Sequence, residues 1–287
     1  MPSFFLLTPS QVPQRYHLRT TTAIQVGRQQ FDNELLSVVE QRVLGQNSAG
    51  YQLEISVLHS TQKAEDLMSR VVADVNQASR RLVVQTDTHG NLLRVENQPE
   101  VWQAWQQLRQ PLRDKYAATP DVLPFLQAFE QQLAVPGSLE ANLRYKGVVG
   151  ALLPGLYGYG FGPGQPPVET TRVIAGFFHD LDLPLVLRSA AGFPQAESPP
   201  VAPAVYVTTT GALDTDTFAT DAFRRLMRDL VDDFKFAVNL EITCTASHAF
   251  EPVSGHLLHS RQELRAEVPG VYYNATTHEL VAQPANA

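Results

Sequence analysis

Cysteine is almost absent from this chain, which has a single cysteine, Cys244, among its 287 residues. An intramolecular disulfide needs two thiols and a cage of several thiolates around a metal needs more, so both are excluded. Cys244 alternates in phase with Val238, Leu240 and Ile242 along a predicted strand. That phase favours a buried structural thiol over a reactive nucleophile.

Long hydrophobic runs are missing too, and no segment approaches the roughly 20 apolar residues that a membrane-spanning helix needs. The segment from Met1 to Pro9 has no basic residue, an apolar run of only four residues and no small-residue cleavage site after it. It therefore lacks the marks of an export signal. We expect a soluble, cytoplasmic protein with no membrane span.

Clusters of positive charge are absent as well. The chain has 22 Lys and Arg against 29 Asp and Glu, a net charge of −7, and its densest basic points are the pairs 80–81 and 224–225. Nucleic-acid backbones are bound by clustered Lys and Arg, so a nucleic-acid partner is excluded. The hydrophobic fraction of 44% is ordinary for a globular protein and sufficient for a core.

Catalytic motifs are also missing, since the chain has no G-x-S-x-G, H-E-x-x-H or G-x-x-x-x-G-K. Ser60 and Lys63 match S-x-x-K, but the K-T-G and S-D-N elements of that enzyme class are absent. We interpret Ser60 or Thr61 as the cap of the following helix. These absences favour a protein that is not an enzyme and uses no cofactor.

Two small groups of residues have side chains that bind metals elsewhere. Asp180 and Asp182, next to His179, would face the same way on a strand, but no third carboxylate stands nearby, which favours a solvated acidic turn. His256 and His259 are three residues apart, and on a strand they would point to opposite faces. We predict no metal site.

What the sequence does contain is alternation of apolar and polar residues, the period of a strand. The clearest run is residues 51–58, in which Tyr51 and Leu53 fall on one side. With residues 14–26 and 34–44 it predicts a three-stranded antiparallel meander. Further strands are predicted at residues 81–86, 91–95, 168–178, 185–188, 205–209, 237–246, 256–268 and 271–280.

Spacings of three and four residues mark amphipathic helices between these strands. The first covers residues 63–79, with Val71 and Val75 in its apolar stripe. The second begins after Asn97, and Pro111 should kink or end it. Two more helices are predicted at residues 119–135 and, capped by Asp214 or Thr215 and with an apolar stripe of Phe218, Ala222, Leu226, Leu230 and Phe234, at residues 214–234.

Together these patterns predict an α+β fold, with curved antiparallel sheets of long meandering strands packed by amphipathic helices. Three segments follow from composition: a sheet-plus-helices half at 1–146, an irregular Gly/Pro-rich middle at 147–203, and a strand-helix-meander at 204–287. One continuous domain is the alternative. The best linker is 192–203, which holds four prolines, and the repeated texture supports the hypothesis of two similar halves from a duplication.

The segment from Gly155 to Gly164 is the best candidate for a functional surface. Its glycines alternate with Tyr157, Tyr159 and Phe161. Rings offer contact area at low entropic cost, which predicts a ligand- or partner-binding loop whose aromatic side chains are partly exposed. The alternative is that the rings pack on the core of the protein itself.

Three functions follow as hypotheses. The first is a non-enzymatic binding or interaction protein with a protein partner, for example an accessory subunit of a larger assembly. The second is a carrier of an apolar small molecule in the concavity of the sheet. The third is a hydrolase whose site is scattered along the sequence. The long strand meanders with helices are similar to the half-barrel of periplasmic lipoprotein carriers, a resemblance of fold that implies no function.

Overall fold

The computed structural model describes residues 3–9, 12–63, 66–193 and 204–284, which form thirteen strands and six α-helices. The strands are β1 Ser3–Phe4, β2 Gln14–Val26, β3 Gln29–Asn47, β4 Gly50–Gln62, β5 Arg81–Thr86, β6 Leu92–Val95, β7 Gly160–Phe161, β8 Val168–Phe178, β9 Leu181–Ala191, β10 Val205–Leu213, β11 Glu241–Phe250, β12 Leu257–Val268 and β13 Tyr272–Ala282. The helices are α1 Leu67–Val75, α2 Gln98–Lys115, α3 Val122–Ala134, α4 Ser138–Leu143, α5 Gly147–Leu152 and α6 Thr220–Val231.

The strands follow one another as a meander. Eleven of them are hydrogen-bonded in the order β6-β5-β4-β3-β2-β13-β12-β11-β10-β9-β8, and β1 pairs separately with β7. The pairs from β3 to β6 and from β8 to β13 are antiparallel. The predicted α+β fold of long antiparallel strands with amphipathic helices is confirmed. No helix in the described part of the chain is both long and apolar enough to cross a membrane.

The chain divides into two compact units. Unit 1 contains residues 1–7, 18–34 and 157–282, and unit 2 contains residues 8–17, 35–156 and 283–287. The predicted segments with boundaries at 146 and 203 remain a prediction. Most of the proposed linker, residues 194–203, lies outside the described residues.

Unit 2 buries one face of its strands almost completely. In β4, Tyr51, Leu53 and Ile55 are all buried, and Leu53 stands opposite Val43 of β3 and Val84 of β5. Such apolar cross-strand neighbours stabilise an antiparallel sheet. The helices bring matching apolar stripes, with Val71 and Val75 in α1, Val101 and Trp105 in α2, and Val122 and Leu126 in α3 buried.

Helix α1 begins later than the sequence indicates, so the predicted cap at Ser60 or Thr61 is wrong. Strand β4 continues to Gln62 because its last residues still pair with β3. The cap is Asp66, whose carboxylate accepts a hydrogen bond from the Ser69 N–H at 2.8 Å. An aspartate at this position satisfies one of the unpaired N–H groups of the first helical turn.

Two other helix predictions need correction. Of the two outcomes predicted for Pro111, a kink or an end of the helix, the end is wrong, because α2 continues to Lys115. Helix α6 begins at Thr220, because Asp214 instead closes a turn and accepts the Asp216 N–H and the Thr217 hydroxyl. The later start changes which side chains face inward. The predicted stripe is wrong for Leu230 and Phe234, which are exposed, and the buried residues of α6 are Phe223 and Met227.

Candidate functional site

The glycine–aromatic segment lies mostly inside unit 1 rather than on its surface. Tyr157 is 1% exposed and Phe161 is 2% exposed, whereas Tyr159 is half-buried. The expectation of exposed rings is therefore wrong for Tyr157 and Phe161. The physical reason is pairing of β7 with β1, which places Phe161 opposite Ser3 and brings both rings against the neighbouring Phe5.

These rings form the Phe5 cluster, which contains Phe5, Tyr157, Phe161 and Phe250. The Phe5 ring stacks on Phe250 with centroids 4.2 Å apart and on Phe161 at 5.8 Å, and it meets Tyr157 edge-on at 6.0 Å. Glycine in this segment allows the turn that places Tyr157 and Phe161 against Phe5. Gly158, at φ +73°, donates its N–H to the Phe5 carbonyl at 3.2 Å.

A second group of rings, the α6 cluster, contains Phe178, Phe218, Phe223 and Tyr272. The Phe178 ring lies 4.7 Å from Phe223 of α6 and 5.5 Å from Tyr272 at the start of β13. Phe218 packs on Phe223 at 5.3 Å. The apolar stripe predicted from the sequence contains Phe218, but no local pattern indicates that Phe178 and Tyr272 meet.

The contact between Phe178 and Tyr272 shows that the sheet of unit 1 is strongly curved. Strands β8 and β13 are separated by five steps in the strand order, which is about 24 Å across a flat sheet at a spacing of ~4.8 Å. Ring centroids 5.5 Å apart are reached only if the sheet curls toward the side of α6. The predicted concavity is therefore present in unit 1.

Register identifies the side chains on this concave face. His248 of β11 stands opposite Ser260 of β12, and Ser260 stands opposite Leu280 of β13. The hydroxyl of Thr20 lies 2.9 Å from Nδ1 of His278, which places alternate residues of β2 on the same face. The middle of this face, between the two clusters, is half-buried. We call it the open strip and define it by Ile24, Cys244, Gln262, Leu264, Thr276 and His278.

Charge is distributed very unequally between the two faces. The convex face carries ion pairs such as Arg261–Glu279 at 2.7 Å and Arg188–Glu169 at 3.0 Å. The concave face of β2 and β8–β13 carries no carboxylate among the described residues, and Arg172 is its one guanidinium. The open strip is thus lined by apolar and uncharged polar groups.

The histidines of the concave face are neutral at pH 7. His248 is buried and its Nδ1 lies 2.9 Å from the Ser260 hydroxyl. Burial, followed by the charges of Arg172 and His259, lowers the pKa of His248 to about 3. Burial also lowers the pKa of His278 to about 4. Burying a histidine disfavours its charged form.

Cys244 belongs to the open strip, so the prediction of a buried residue is only partly right. It is half-buried, and its side chain touches the Cα side of Gly211 closely enough that a Cβ there would lie 2.9 Å from the sulfur. Burial raises the pKa of the Cys244 thiol. A protonated thiol is a poor nucleophile, which agrees with the prediction of a structural role for Cys244.

Ser260 and His248 are residue types that serve as nucleophile and base in hydrolases, but their environment lacks the features that catalysis requires. Ser260 is 1% exposed, so a substrate cannot reach its hydroxyl. A catalytic histidine is oriented by a carboxylate, and His248 has no hydrogen bond to one among the described residues. The arrangement gives no support to the hydrolase hypothesis.

The groups considered as metal ligands do not assemble. Among the described residues, no three His, Cys, Asp or Glu side chains are grouped so as to hold a metal ion. His179 contacts Asp180 at 2.9 Å in an exposed turn, while Asp182 accepts the Gly176 N–H. His256 precedes β12 and His259 lies within it.

Comparisons with known proteins identify little beyond this geometry. No protein-family model and no curated protein matches the chain. One similar solved structure is lipovitellin, described by its lipid–protein interactions, with 12% identity and a TM-score of 0.43 over 96% of this chain and 26% of the lipovitellin chain. The chain therefore spans about a quarter of the length of lipovitellin. A likeness this low establishes neither a shared fold nor a shared function.

Proposed function

We propose that the chain is a non-enzymatic binding protein that carries an apolar ligand on the concave face of unit 1. The observation behind the proposal is the open strip, a half-buried and uncharged surface between two buried aromatic clusters. Sites for small apolar ligands are concave, mostly apolar and equipped with few polar groups. The open strip is concave and uncharged, and it combines the apolar side chains of Ile24 and Leu264 with uncharged polar groups.

The polar side chains of the concave face support the same function, because they are paired with one another. Thr20 bonds His278, and Ser189 lies 2.8 Å from Thr209. Gln262 donates to the Ser260 hydroxyl at 3.2 Å. An apolar ligand placed over these groups would not remove their hydrogen-bond partners, so the desolvation cost of binding is low.

The hypothesis of an accessory subunit with a protein partner has weaker support. Large apolar side chains are exposed at Phe4, Phe234 and Val253, but single exposed side chains are normal on a protein surface. The concave face is distinguished by several properties at once, which favours the carrier.

The first experiment asks whether a ligand is present. The protein is purified, and native mass spectrometry is compared with the spectrum after denaturation and organic extraction. We expect an extra mass that extraction removes. Titration of the delipidated protein with the neutral probe N-phenyl-1-naphthylamine should then give saturable fluorescence.

The second experiment places the ligand. Leu264→Asp introduces a charge into the half-buried open strip and should weaken probe binding at least about ten-fold, since a carboxylate opposite an apolar ligand loses its hydration. The matched control is Thr243→Asp, an exposed position on the convex face opposite Arg265. Absence of both bound mass and probe binding would refute the carrier, and so would equal binding by Leu264→Asp and wild type.

A further inference from the structure

We infer that Arg172 binds the head of the ligand, and that the ligand is a single-chain amphiphile with one anionic head, a carboxylate or a phosphate. The inference rests on the proposed function and adds the chemical class and orientation of what is carried. The head would lie at Arg172 on β8 and the chain along the open strip.

The register of β8 places Arg172 on the concave face. Arg172 stands opposite Leu185 of β9, which is buried, and alternates with Ile174, which is also buried. Residues opposite one another in an antiparallel pair share a face. The side chain of Arg172 is half-buried, so a ligand on this face can reach it.

The charge of Arg172 acts across the concavity. Burial raises the pKa of Cys244 and lowers that of His248, and the charge of Arg172 opposes the rise at Cys244 and adds to the fall at His248, both on β11. Strand β11 is three steps from β8 in the strand order, about 14 Å on a flat sheet at the usual strand spacing. Whatever other contacts the guanidinium makes, its positive field therefore extends over the surface where the ligand would lie.

The other described side chains on the concave face carry no charge at pH 7 that would cancel or oppose the field of Arg172. His248 and His278 are neutral at pH 7 because burial lowers their pKa values. The described strand residues of this face include no carboxylate that would repel an anion. A guanidinium in a partly desolvated site binds a carboxylate or a phosphate through two parallel hydrogen bonds, and so selects for those groups.

The test compares ligands that share one chain and differ in the head. Oleate and oleoyl lysophosphatidate carry the two anionic heads, while oleyl alcohol and mono-oleoyl glycerol are their neutral counterparts. Each displaces N-phenyl-1-naphthylamine from delipidated protein. We expect at least one anion to bind about ten-fold or more tightly than its neutral counterpart, and the tighter of the two identifies the head.

The decisive variant is Arg172→Met, which keeps an unbranched, flexible side chain and removes the charge of the guanidinium. It should reduce anion binding to the level of the neutral ligand and leave binding of the neutral ligand unchanged. Arg188→Met is the matched control, because Arg188 lies on the convex face of the adjacent strand and pairs with Glu169. Arg172→Gln is a second neutral variant with which to repeat the comparison should the methionine variant fold poorly.

The outcomes separate this inference from the proposed function. Equal binding of anion and neutral counterpart by wild type would overturn the role of Arg172 and leave the carrier standing. Retention of the preference in both Arg172 variants would do the same. Failure of all four ligands to bind would overturn the carrier, and the inference with it.

Discussion

The two units contain similar alternating strands, but they differ in how completely one face of those strands is buried. In unit 2 the inward face of β4 is buried from Tyr51 to Ile55, and the five helices α1 to α5 belong to the described part of that unit. In the described part of unit 1 a single helix, α6, belongs to a sheet region of more strands, and Ile24, Leu264 and Thr276 stay half-buried. Burial of apolar area is the main stabilising contribution to folding. The same alternating pattern therefore gives a core where helices cover it and an accessible concave face where they do not.

This contrast also bears on the hypothesis of a duplication. Both units combine antiparallel strands with amphipathic helices, but they differ in the number of helices. The duplication remains a prediction. The comparison can be tested by substitutions, because a closed core and an accessible face respond differently to a new charge or a lost ring.

The largest effect is expected in unit 2. Val71 of α1 is 0% exposed, so Val71→Asp would bury an unpaired carboxylate at a cost of several kcal/mol, comparable with a stability margin of about 5–15 kcal/mol. We expect the protein to unfold or its Tm to drop sharply in a thermal melt. The control is Val72→Asp, at a neighbouring position that is 40% exposed. Similar Tm values for the two variants would show that α1 does not close the core.

The next effect concerns the cluster at one end of the concave face. Tyr157→Ser and Phe161→Ser each remove a buried ring and should lower the free energy of unfolding by about 3–5 kcal/mol. Tyr159→Ser, at the half-buried position between them, should cost about 1 kcal/mol or less. Urea unfolding measures all three. Equal losses in the free energy of unfolding for the three variants would mean that the Phe5 cluster is not part of the buried core.

The third effect is the dependence of stability on pH. Because the pKa of His248 is lowered from 6.5 to about 3 in the folded protein, the unfolded chain binds a proton more readily. Stability is thus full above pH 6.5 and falls as the pH decreases toward 3, by roughly 2 kcal/mol at pH 5. His278, with a pKa of about 4 and partial exposure, should contribute less in the same direction.

Urea unfolding of wild type and of His248→Gln at pH 7 and pH 5 isolates this contribution, since most carboxylates titrate below that interval. The variant should lose less stability between the two pH values than wild type does. Identical losses would show that His248 is not buried as a neutral base.

The smallest effect is expected from chelation. The described residues offer no complete set of metal ligands, so EDTA should leave the thermal transitions of both units unchanged. A lower Tm that zinc or calcium restores would contradict this prediction and would direct attention to His179, Asp180 and Asp182.

Local periodicity explains why much of the fold could be predicted. The run 51–58 lies within β4, and the stripe with Val71 and Val75 is the buried side of α1, because each pattern depends only on nearby residues. Element ends were less predictable. Helix α6 was placed six residues too early, since Asp214 satisfies the rules for a helix cap and for a turn equally well.

The concave site depended on contacts between distant residues, and local rules could not find it. Thr20 and His278 are 258 positions apart, and Phe5 meets Phe250. One signal was nevertheless present in β12, where Arg261, Glu263, Arg265 and Glu267 alternate with uncharged residues. That alternation indicates one face in contact with water and an opposite face without charge.

The contact between Phe178 and Tyr272 also bears on the width of the concave face of unit 1. Backbone hydrogen bonds between strands tolerate a range of twist, so they do not by themselves set how far apart β8 and β13 stand. The packing of Phe178 on Tyr272 and on Phe223 joins the two strands on the side of α6. A smaller side chain at Phe178 or Phe223, neither of which belongs to the open strip, should therefore change the width of the concave face and, with it, the size of the ligand that the proposed carrier binds.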